Sequence, residues 1–267
     1  SRVGVSPTEL TFSSSNWDQP QTVTVTATPN AVADGDATVM LEHSPSSSDG
    51  NYSGPDAMQP SPNVTVQVFD DDEAGVVLSS LVLFAAEGGS ESYTVRLLSE
   101  PTQPVTVAVD SGGSTQLGLS SSSLTFTSLN WAQAQTVTVT PVDDGVGEND
   151  VLVQLSHSTS SSDASYASAA APFLPGSVVN VTVSDNDQAG ISLADQTVYV
   201  DEASTGSYEV VITAAPTQTV EVMPTSADPS LLQVTTAALP LTFTTSNWNQ
   251  AQTVTVLAVD DGVDRGN

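Results

Sequence analysis

The sequence predicts an all-β protein made of tandem antiparallel, seven-stranded, immunoglobulin-like β-sandwiches. Apolar residues recur at a period of two along nearly all of residues 75–189, which is typical of strands with one face in a core. The run Thr-Val-Thr-Val at 136–139 is the clearest case, since it directs its valines to the core and its threonines to solvent. Helical periodicity is absent, so the pattern indicates strands throughout.

One segment occurs three times and defines the domain organisation. Leu10 to Trp17 returns as Leu124 to Trp131 and as Leu241 to Trp248, each time followed by Gln-Thr-Val-Thr-Val. The tryptophans lie 114 and 117 residues apart, which is the size of a whole domain rather than of a solenoid unit. We therefore predict a partial repeat at 1–74 that lacks its N-terminal strands, a complete repeat at 75–189, and a partial repeat at 190–267 that lacks its C-terminal strands.

The complete repeat contains seven runs rich in Val, Thr and Leu, separated by clusters of Gly, Pro, Ser and Asp. Such runs predict strands, and seven short strands in one domain are typical of an immunoglobulin-like sandwich. The predicted strands are A over 76–85, B over 92–98, C over 105–109, D over 123–126, E over 135–142, F over 151–156 and G over 177–183.

A tryptophan precedes strand E in each repeat, at Trp17, Trp131 and Trp248. We expect it to plug one end of the core, because isolated aromatic residues at matching positions usually serve packing. The alternative is a platform on which a sugar stacks, which would need further exposed aromatic side chains. Aromatic residues make up 5% of the chain, so such a set is difficult to assemble.

The charge of the chain is strongly negative. It contains 31 acidic residues, no Lys, and only Arg2, Arg96 and Arg265, for a net charge of -28. This charge repels phosphate backbones and anionic lipids, so we expect no nucleic-acid partner and no direct membrane insertion. The absence of Cys excludes disulfides and zinc-thiolate sites. An acidic, Lys-free, Ser/Thr-rich repeat fits an extracellular or cell-surface location, where millimolar calcium reaches weak sites.

Acidic residues of the complete repeat follow strands A, C, E and G. If successive strands alternate in direction, these strand ends all lie at one pole of the sandwich. Carboxylates gathered there repel one another by about 1 kcal/mol per near pair, and a hard divalent cation with oxygen ligands, calcium, would neutralise them. The alternative is that Asp and Asn merely form solvated turns. The residues are Glu87, Asp110, Asp143, Asp144, Glu148, Asp150, Asp185 and Asp187.

These residues carry a family resemblance. Glu87-Gly88 after strand A, the acidic loop at 143–150 and the closing Asp-Asn-Asp at 185–187 resemble the Calx-beta domain, the calcium-binding sandwich of sodium-calcium exchangers and of many large surface proteins. In that family these three elements ligate a small calcium cluster at the distal end of the domain. The resemblance therefore implies calcium-ligand roles for Glu87, Asp144, Glu148, Asp150, Asp185 and Asp187.

The partial repeats carry related but altered acidic residues. In the first repeat Pro29 takes the place of Asp143, and in the third Arg265 takes the place of Glu148. We expect calcium occupancy to differ between repeats for this reason. The further candidate metal ligands are Asp34, Asp36, Asp70 and Asp72 in the first repeat and Glu202, Asp260 and Asp261 in the third.

No catalytic residue is expected, and the chain is predicted not to be an enzyme. His43 and His157 could act as bases near neutral pH, but they occupy matching positions 114 residues apart, each before a serine. We interpret them as structural, since a catalytic base needs an orienting partner and a pocket. The matching loops at 46–52 and 160–166 are interpreted as turns capped by Asp and covered by Tyr. These loops are expected at the end of the sandwich opposite the acidic pole. Docking of that end against the acidic pole of the preceding repeat is compatible with the turn interpretation.

The function that this pattern predicts is a structural spacer: calcium-stiffened tandem sandwiches in an extracellular filament, appendage or adhesin stalk. Its partners would be the neighbouring repeats, a homopolymer, or other filament and surface proteins. One alternative is an adhesive module that binds glycan or protein, and another is a calcium-responsive switch. The segments 70–75 and 185–190 join the repeats without a flexible spacer, which predicts stiff joints. The sequons at Asn51, Asn63 and Asn180 are candidate glycosylation sites.

Overall fold

The computed structural model describes residues 2–53, 63–167 and 172–263. Residues 2–74, 75–189 and 190–263 are called the first, second and third segments below. The first segment contains strands β1 (Val3–Ser6), β2 (Thr24–Ala27), β3 (Ala37–Leu41) and β4 (Val64–Val68). The third segment contains β15 (Ile191–Leu193), β16 (Thr205–Ile212), β17 (Val220–Val222), β18 (Leu232–Val234), β19 (Leu241–Phe243) and β20 (Gln252–Ala258).

The second segment contains ten strands. They are β5 (Val76–Leu78), β6 (Val82–Ala86), β7 (Glu91–Leu97), β8 (Val105–Asp110), β9 (Leu117–Leu119), β10 (Ser123–Phe126), β11 (Gln135–Pro141), β12 (Val151–Ser161), β13 (Phe173–Leu174) and β14 (Val178–Ser184). Single turns of 3₁₀-helix at Gly50–Tyr52 and Ala164–Tyr166 are the helices of the described residues. Within these ranges no helix has the length and apolarity needed to cross a bilayer.

The second segment is a β-sandwich of two five-stranded sheets. One sheet has the order β10-β8-β12-β14-β6 and the other β13-β5-β7-β11-β9. The strand pairs are antiparallel except for β13 with β5 and β14 with β6. The core between the sheets includes Val95, Val107, Val137 and Leu155, all fully buried. The predicted all-β, immunoglobulin-like class is confirmed.

The predicted strand A is divided between the two sheets. Its first part, β5, pairs with β7, and its second part, β6, pairs with β14. Ser80 redirects the chain between them, because its hydroxyl donates to the carbonyl of Val82 and accepts from the Val82 N–H. The predicted strand F is also longer, since the second half of β12 pairs along β8. The sequence pattern did not predict the short strands β9 and β13.

The alternation that predicted strand E is confirmed in β11, where Val137 and Val139 are buried and Thr136 and Thr138 are more exposed.

Smaller assemblies flank the sandwich. In the third segment the sheet β15-β16-β20-β18 and the pair β17-β19 enclose a second core around Phe243. The first segment has two separate strand pairs, β1-β2 and β3-β4. There Phe12 is 53% exposed, whereas Phe126 and Phe243 at the matching positions are 0% exposed. The boundaries after residues 74 and 189 stay a prediction, although no described strand crosses either of them.

The F–G turn of the sandwich is held by its aspartate and its tyrosine. Asp163 accepts hydrogen bonds from the backbone and hydroxyl of Thr102 and from the Ser165 N–H. Tyr166 is buried, and its hydroxyl donates to the Ser99 carbonyl at 2.8 Å and accepts from the Ser99 N–H at 3.1 Å. Both residues therefore hold this turn against the chain between β7 and β8, as the turn interpretation required.

Arg96 lies in the middle of β7, with β5 on one side of that strand and β11 on the other. It stands opposite Val77 of β5, and its guanidinium donates to the Leu97 carbonyl at 3.2 Å. The side chain is half-buried. Arg96, the cationic residue of the second segment, therefore lies within a sheet rather than in a loop.

His157 is buried in the sandwich and hydrogen-bonded on both sides of its ring. Its Nδ1 lies 3.0 Å from the Ser177 carbonyl, which can only accept, so Nδ1 carries the proton. The other nitrogen, Nε2, then accepts from the Tyr93 hydroxyl at 2.7 Å. The side chain is 6% exposed, which supports the structural interpretation of this histidine.

We expect acid to destabilise the sandwich through His157. Burial lowers the pKa of His157 below 6.5, although the hydrogen bond with Ser177 opposes the shift. Because the folded-state pKa is the lower one, the stabilisation is complete above the unfolded value and is lost as the pH falls below it. Urea unfolding of the wild type and of His157→Gln between pH 7.5 and 5.5 measures the effect. The variant should lose stability less steeply than the wild type or His43→Gln, and equal slopes would contradict the prediction.

Candidate metal centre

Three carboxylates from distant parts of the second segment meet at one pole of the sandwich. Oxygen atoms of Glu87, Asp144 and Asp187 lie within 4.8 Å of one another. The three residues follow β6, β11 and β14, respectively. Because β6 and β14 are paired and parallel, with Ala86 opposite Ser184, their C-terminal ends deliver Glu87 and Asp187 to the same place. The loop after β11 then adds Asp144.

Two oxygen atoms of this group are buried and have no hydrogen-bond partner among the described residues. They are Oε2 of Glu87 and Oδ2 of Asp187, and the Glu87 side chain as a whole is 6% exposed. A buried carboxylate oxygen without a donor costs folding free energy. Most buried polar atoms in proteins do have partners, so this pair calls for one.

The pKa values of these carboxyl groups reflect the crowding. Burial raises the pKa of Glu87, and the nearby Asp144 and Asp185 raise it further. Burial also raises the pKa of Asp187, with added repulsion from Asp143 and Asp185. Without a cation both carboxyl groups are therefore harder to ionise than free ones, whereas a bound cation would favour their ionised forms.

Backbone and amide hydrogen bonds hold the loops that carry the group. Asp185 accepts from the Asp187 N–H at 2.8 Å and from the Glu148 N–H at 2.6 Å, which fastens the E–F loop to the end of β14. The Nδ2 of Asn186 donates to the Glu87 carbonyl at 3.1 Å. The amide of Asn186 thus positions the backbone of Glu87, a role that the sequence analysis did not assign to it. An Asn between two ligand-type Asp residues was the available signal.

The other predicted ligands of the second segment lie outside this group of three. Asp110 faces Ser156, five residues into β12, so it lies about 16 Å along the strand from its start at the pole. Its Oδ1 accepts from the Gly112 N–H and caps the turn that follows β8. The alternation of strand directions therefore predicted correctly that β8 runs toward the acidic pole. It did not predict that β8, and with it Asp110, ends short of that pole. The structure also leaves Asp143, Glu148, Asp150 and Asp185 outside the group, and their ligand roles stay a prediction.

The first segment has an acidic pole of a different kind. Carboxylate oxygens of Asp70, Asp71 and Asp72 lie within 4.8 Å of one another. The hydrogen bond from the Gly35 N–H lowers the pKa of Asp70, and burial raises the pKa of Asp72. Two predicted ligands lie in the loop after β2. Asp36 bonds to this triplet, since it accepts from the Asp70 N–H at 2.9 Å, whereas Asp34 pairs with Arg2.

In the third segment the predicted ligands are not gathered into a group among the described residues. Asp260 and Asp261 accept from the N–H groups of Gly262 and Val263, each at 3.0 Å, as in ordinary Asp turns. Glu202, after the stretch that matches β6, is exposed. Arg265 lies outside the described residues.

The acidic loops of the first two segments contact the segment that follows. The Ala31 carbonyl accepts from the Glu100 N–H at 2.7 Å, and the Gly145 carbonyl accepts from the Ala215 N–H at 2.6 Å. Ala31 and Gly145 are 114 residues apart and their donors 115 apart, so the same hydrogen bond occurs at both joints. Ser165 adds a bond from its hydroxyl to the Ala33 carbonyl at 3.0 Å. The F–G turn therefore docks against the preceding segment, as sequence analysis allowed.

Gly145 is a residue of the second joint at which a side chain would be both strained and crowded. Its φ is +74°, and an added Cβ would lie 3.3 Å from the ring of Trp248. The linker glycines are also engaged, because the Gly75 and Gly190 carbonyls accept from the Leu98 and Thr213 N–H groups, respectively. Both joints are thus built from direct backbone hydrogen bonds.

The tryptophans have different environments. Trp131 and Trp248 are partly buried against the cores of their own segments, as expected for plugs. The Trp248 ring also lies close to Gly145, where an added Cβ would be 3.3 Å from it, so Trp248 belongs to the joint as well. Trp17 is 72% exposed and is not a plug among the described residues. The core interpretation is therefore correct at two of the three positions.

The sequons occupy three settings. Asn51 lies in the 3₁₀ turn Gly50–Tyr52, and Asn63 directly precedes β4. Asn180 lies within β14, where its Oδ1 accepts from the Gln154 Nε2 at 3.0 Å. Glycan attachment at these residues stays a prediction.

No protein-family model matches the chain, and no curated protein matches it. Solved structures that match include the calcium binding domain CBD12 of CALX1.1, at 14% identity and a TM-score of 0.34, over 70% of this chain and 76% of that one. CBD12 from CALX1.2 matches at 16% identity and a TM-score of 0.33, over 70% and 75% of the two chains. WR4, a C. elegans MSP family member, matches at 11% identity and a TM-score of 0.28, over 42% and 99%. These likenesses are distant, and the fold class stated above depends on the strands and sheets of this chain.

Proposed function

We propose that this chain is a non-enzymatic structural spacer whose β-sandwich repeats are stiffened by calcium. The observation that carries the proposal is the pair of buried, unpartnered oxygens on Glu87 and Asp187, two residues whose carboxylates come within 4.8 Å of each other and of Asp144. Calcium is the cation that this donor set favours, because it takes six to eight oxygen ligands in flexible geometry. Zinc would prefer Cys or His ligands, and magnesium keeps most of its waters.

Glu87, Asp144 and Asp187 are the residues that would hold the ion. Bound calcium supplies positive charge that allows all three carboxylates to be ionised side by side. Asp185 and Asn186 would keep these ligands in place through the backbone hydrogen bonds that they make to Asp187, Glu148 and Glu87. The protein contribution is therefore a preformed set of oxygens at the ends of three strands.

The proposed stiffening follows from where these residues lie in the chain. Asp144 directly precedes Gly145, whose carbonyl receives the Ala215 N–H of the next segment. Asp187 precedes the linker that ends at Gly190, and the Thr213 hydroxyl donates to the Gln188 carbonyl within that linker. Ordering Asp144 and Asp187 would therefore also order the backbone that makes the joint.

We place this spacer outside the cell or on its surface, in a filament, appendage or adhesin stalk. Millimolar extracellular calcium would fill even a weak site, and the net charge of -28 creates a need for bound cations. The partners would be neighbouring repeats of the same chain and, in an assembled filament, further copies or other surface proteins. An extended row of sandwiches provides reach rather than a catalytic pocket.

Calcium is expected to raise the melting temperature of the chain by several degrees over that in EDTA. A site filled at a hundred times its dissociation constant contributes about 2.7 kcal/mol to the free energy of unfolding. Circular dichroism melts in millimolar calcium, in EDTA, and in magnesium at the same ionic strength measure the difference. The magnesium melt controls for general screening of the negative charge. Identical melting temperatures in calcium and in EDTA would leave the acidic loops as solvated turns.

A further inference from the structure

The acidic pole of the first segment contains a cationic side chain of the protein itself. One guanidinium nitrogen of Arg2 lies 2.5 Å from a carboxylate oxygen of Asp34, and another donates to the Gly35 carbonyl at 2.8 Å. Arg2 also lines one cavity together with Asp70 and Asp71, and its charge contributes to the lowered pKa of Asp70, after the larger effect of the Gly35 hydrogen bond. Its positive charge is thus directed at the loop that matches the ligand loop of the second segment.

Backbone hydrogen bonds show which residue takes this place in the other segments. The carbonyl of Arg2 accepts from the Thr28 N–H at 2.9 Å. The carbonyl of Gln116 accepts in the same way from the Val142 N–H at 3.0 Å, and that of Leu231 from the Val259 N–H at 2.9 Å. In each case the donor lies just past the strand that leads into the acidic loop. Arg2, Gln116 and Leu231 therefore occupy one structural position.

The acidic partner of this position also matches. Asp34 and Glu148 are 114 residues apart, as are Arg2 and Gln116. The Gln116 amide donates to the Glu148 carboxylate at 3.3 Å, so the contact exists in both segments. It is a charged pair in the first segment and a neutral-to-charged hydrogen bond in the second. The exchange of Arg for Gln changes the local charge by one unit with the contact retained.

We propose that this position sets the cation requirement of each acidic pole, with Arg2 acting as a built-in counter-ion of the first pole. Arg2 keeps the loop at 28–36 ordered without a divalent ion and disfavours binding of such an ion there. Gln116 supplies no charge, so the second pole depends on an external cation. This inference depends on the proposed calcium site of the second segment.

The electrostatic reason is the fixed charge of arginine. A guanidinium remains protonated at any physiological pH, so it neutralises Asp34 permanently. It also repels a divalent cation placed a few ångströms away, by about 1.4 kcal/mol even in water-like screening, which corresponds to about tenfold in affinity. Gln116 makes no such repulsion, and Leu231 makes neither the repulsion nor the hydrogen bond.

Reciprocal exchange of the two residues tests the proposal in the 267-residue chain. Amide hydrogen exchange of the loops 28–36 and 142–150 is measured in EDTA and in calcium, with calorimetric titration of calcium alongside. In the wild type, calcium should slow exchange in 142–150 but not in 28–36. Arg2→Gln should speed exchange of 28–36 in EDTA and make it sensitive to calcium. Gln116→Arg should slow exchange of 142–150 in EDTA and weaken calcium binding there about tenfold.

Two controls separate the local effect from a general one. Arg2→Lys keeps the charge, so hydrogen exchange of the loop 28–36 should stay insensitive to calcium. Arg96→Gln removes one positive charge within β7 and should change hydrogen exchange in neither loop. Equal slowing of both wild-type loops by calcium would overturn the inference while leaving the calcium site intact. If no loop responds to calcium in any variant, the proposed function fails. The EDTA comparison then decides the role of Arg2: faster exchange of 28–36 in Arg2→Gln supports it, and unchanged exchange overturns it.

Discussion

Replacing Glu87 with Gln is expected to stabilise the chain in EDTA and to remove its stabilisation by calcium. In EDTA the variant loses a buried carboxylate that faces Asp144 and Asp187, and a neutral amide of the same shape relieves both the repulsion and the burial of charge. In calcium the same change removes a ligand that the ion needs. Few substitutions shift stability in opposite directions according to one component of the buffer.

Thermal melts of the wild type and of Glu87→Gln, each in EDTA and in calcium, measure this effect. We expect a gain of a few degrees for the variant in EDTA and a loss of most of the calcium-dependent rise. Glu209→Gln, on an exposed position of β16, removes the same charge away from the pole and should shift both melts equally. A Glu87→Gln variant that keeps the full calcium response would exclude Glu87 as a ligand.

The pH dependence of the same melts has a defined sign. Because the folded-state pKa values of Glu87 and Asp187 are raised above 4.5 and 3.8, their contribution to the metal-free fold is complete below these values. It is lost as the pH rises through the folded values. The advantage that calcium gives should accordingly shrink on acidification, because protons then compete for the same oxygens.

Removing calcium is expected to loosen the joint between the second and third segments. The joint depends on the Gly145 carbonyl, which accepts from the Ala215 N–H, and on the closeness of the Trp248 ring to Gly145. Gly145 directly follows a proposed ligand. We expect an extended arrangement in calcium and a more bent ensemble in EDTA. Small-angle scattering should show a smaller maximum dimension in EDTA with unchanged β-content. Asp187→Ala in calcium should reproduce the EDTA profile.

Two glycine variants test whether Gly145 itself transmits the effect. Gly145→Val combines strain at a positive φ with a clash against Trp248, so it should give the bent profile even in calcium. Gly112→Val carries similar strain, since its φ is +66°, but an added Cβ would meet no atom within 4 Å. Gly112→Val should therefore keep the extended profile. An unchanged maximum dimension in EDTA, or equal profiles for the two variants, would show that the calcium loop does not set the joint.

The strands could be predicted because period-two alternation is a local signal, as Val137 and Val139 illustrate. The division of strand A was not predictable from that signal, because both of its parts alternate and only the Ser80 turn separates them. The misplacement of Asp110 has a related cause. The direction of each strand follows from the alternation of successive strands. Which residues of β8 pair with which residues of β12 depends on the register, which one apolar pattern does not specify.

The acidic group could be predicted in part for similar reasons. Glu87, Asp144 and Asp187 were expected to meet, and their oxygens do lie together. The unpartnered oxygens depend on side-chain packing and could not be foreseen from spacing. Arg2 could have been noticed, since comparing the chain with itself at an offset of 114 places it on Gln116. Its bond with Asp34 shows why that difference matters.

The position of Arg96 in the sheet has a consequence for proteolysis. Trypsin cleaves after Lys and Arg, and between residues 3 and 263 the sequence offers it Arg96 alone. A protease must bind its substrate as an extended, accessible segment, whereas Arg96 is held in β7 between β5 and β11. Cleavage there requires the sandwich to open as a whole. The chain is therefore protected from trypsin-like enzymes by its composition and by its fold together. The rate at which trypsin cleaves after Arg96 reports how often the sandwich unfolds.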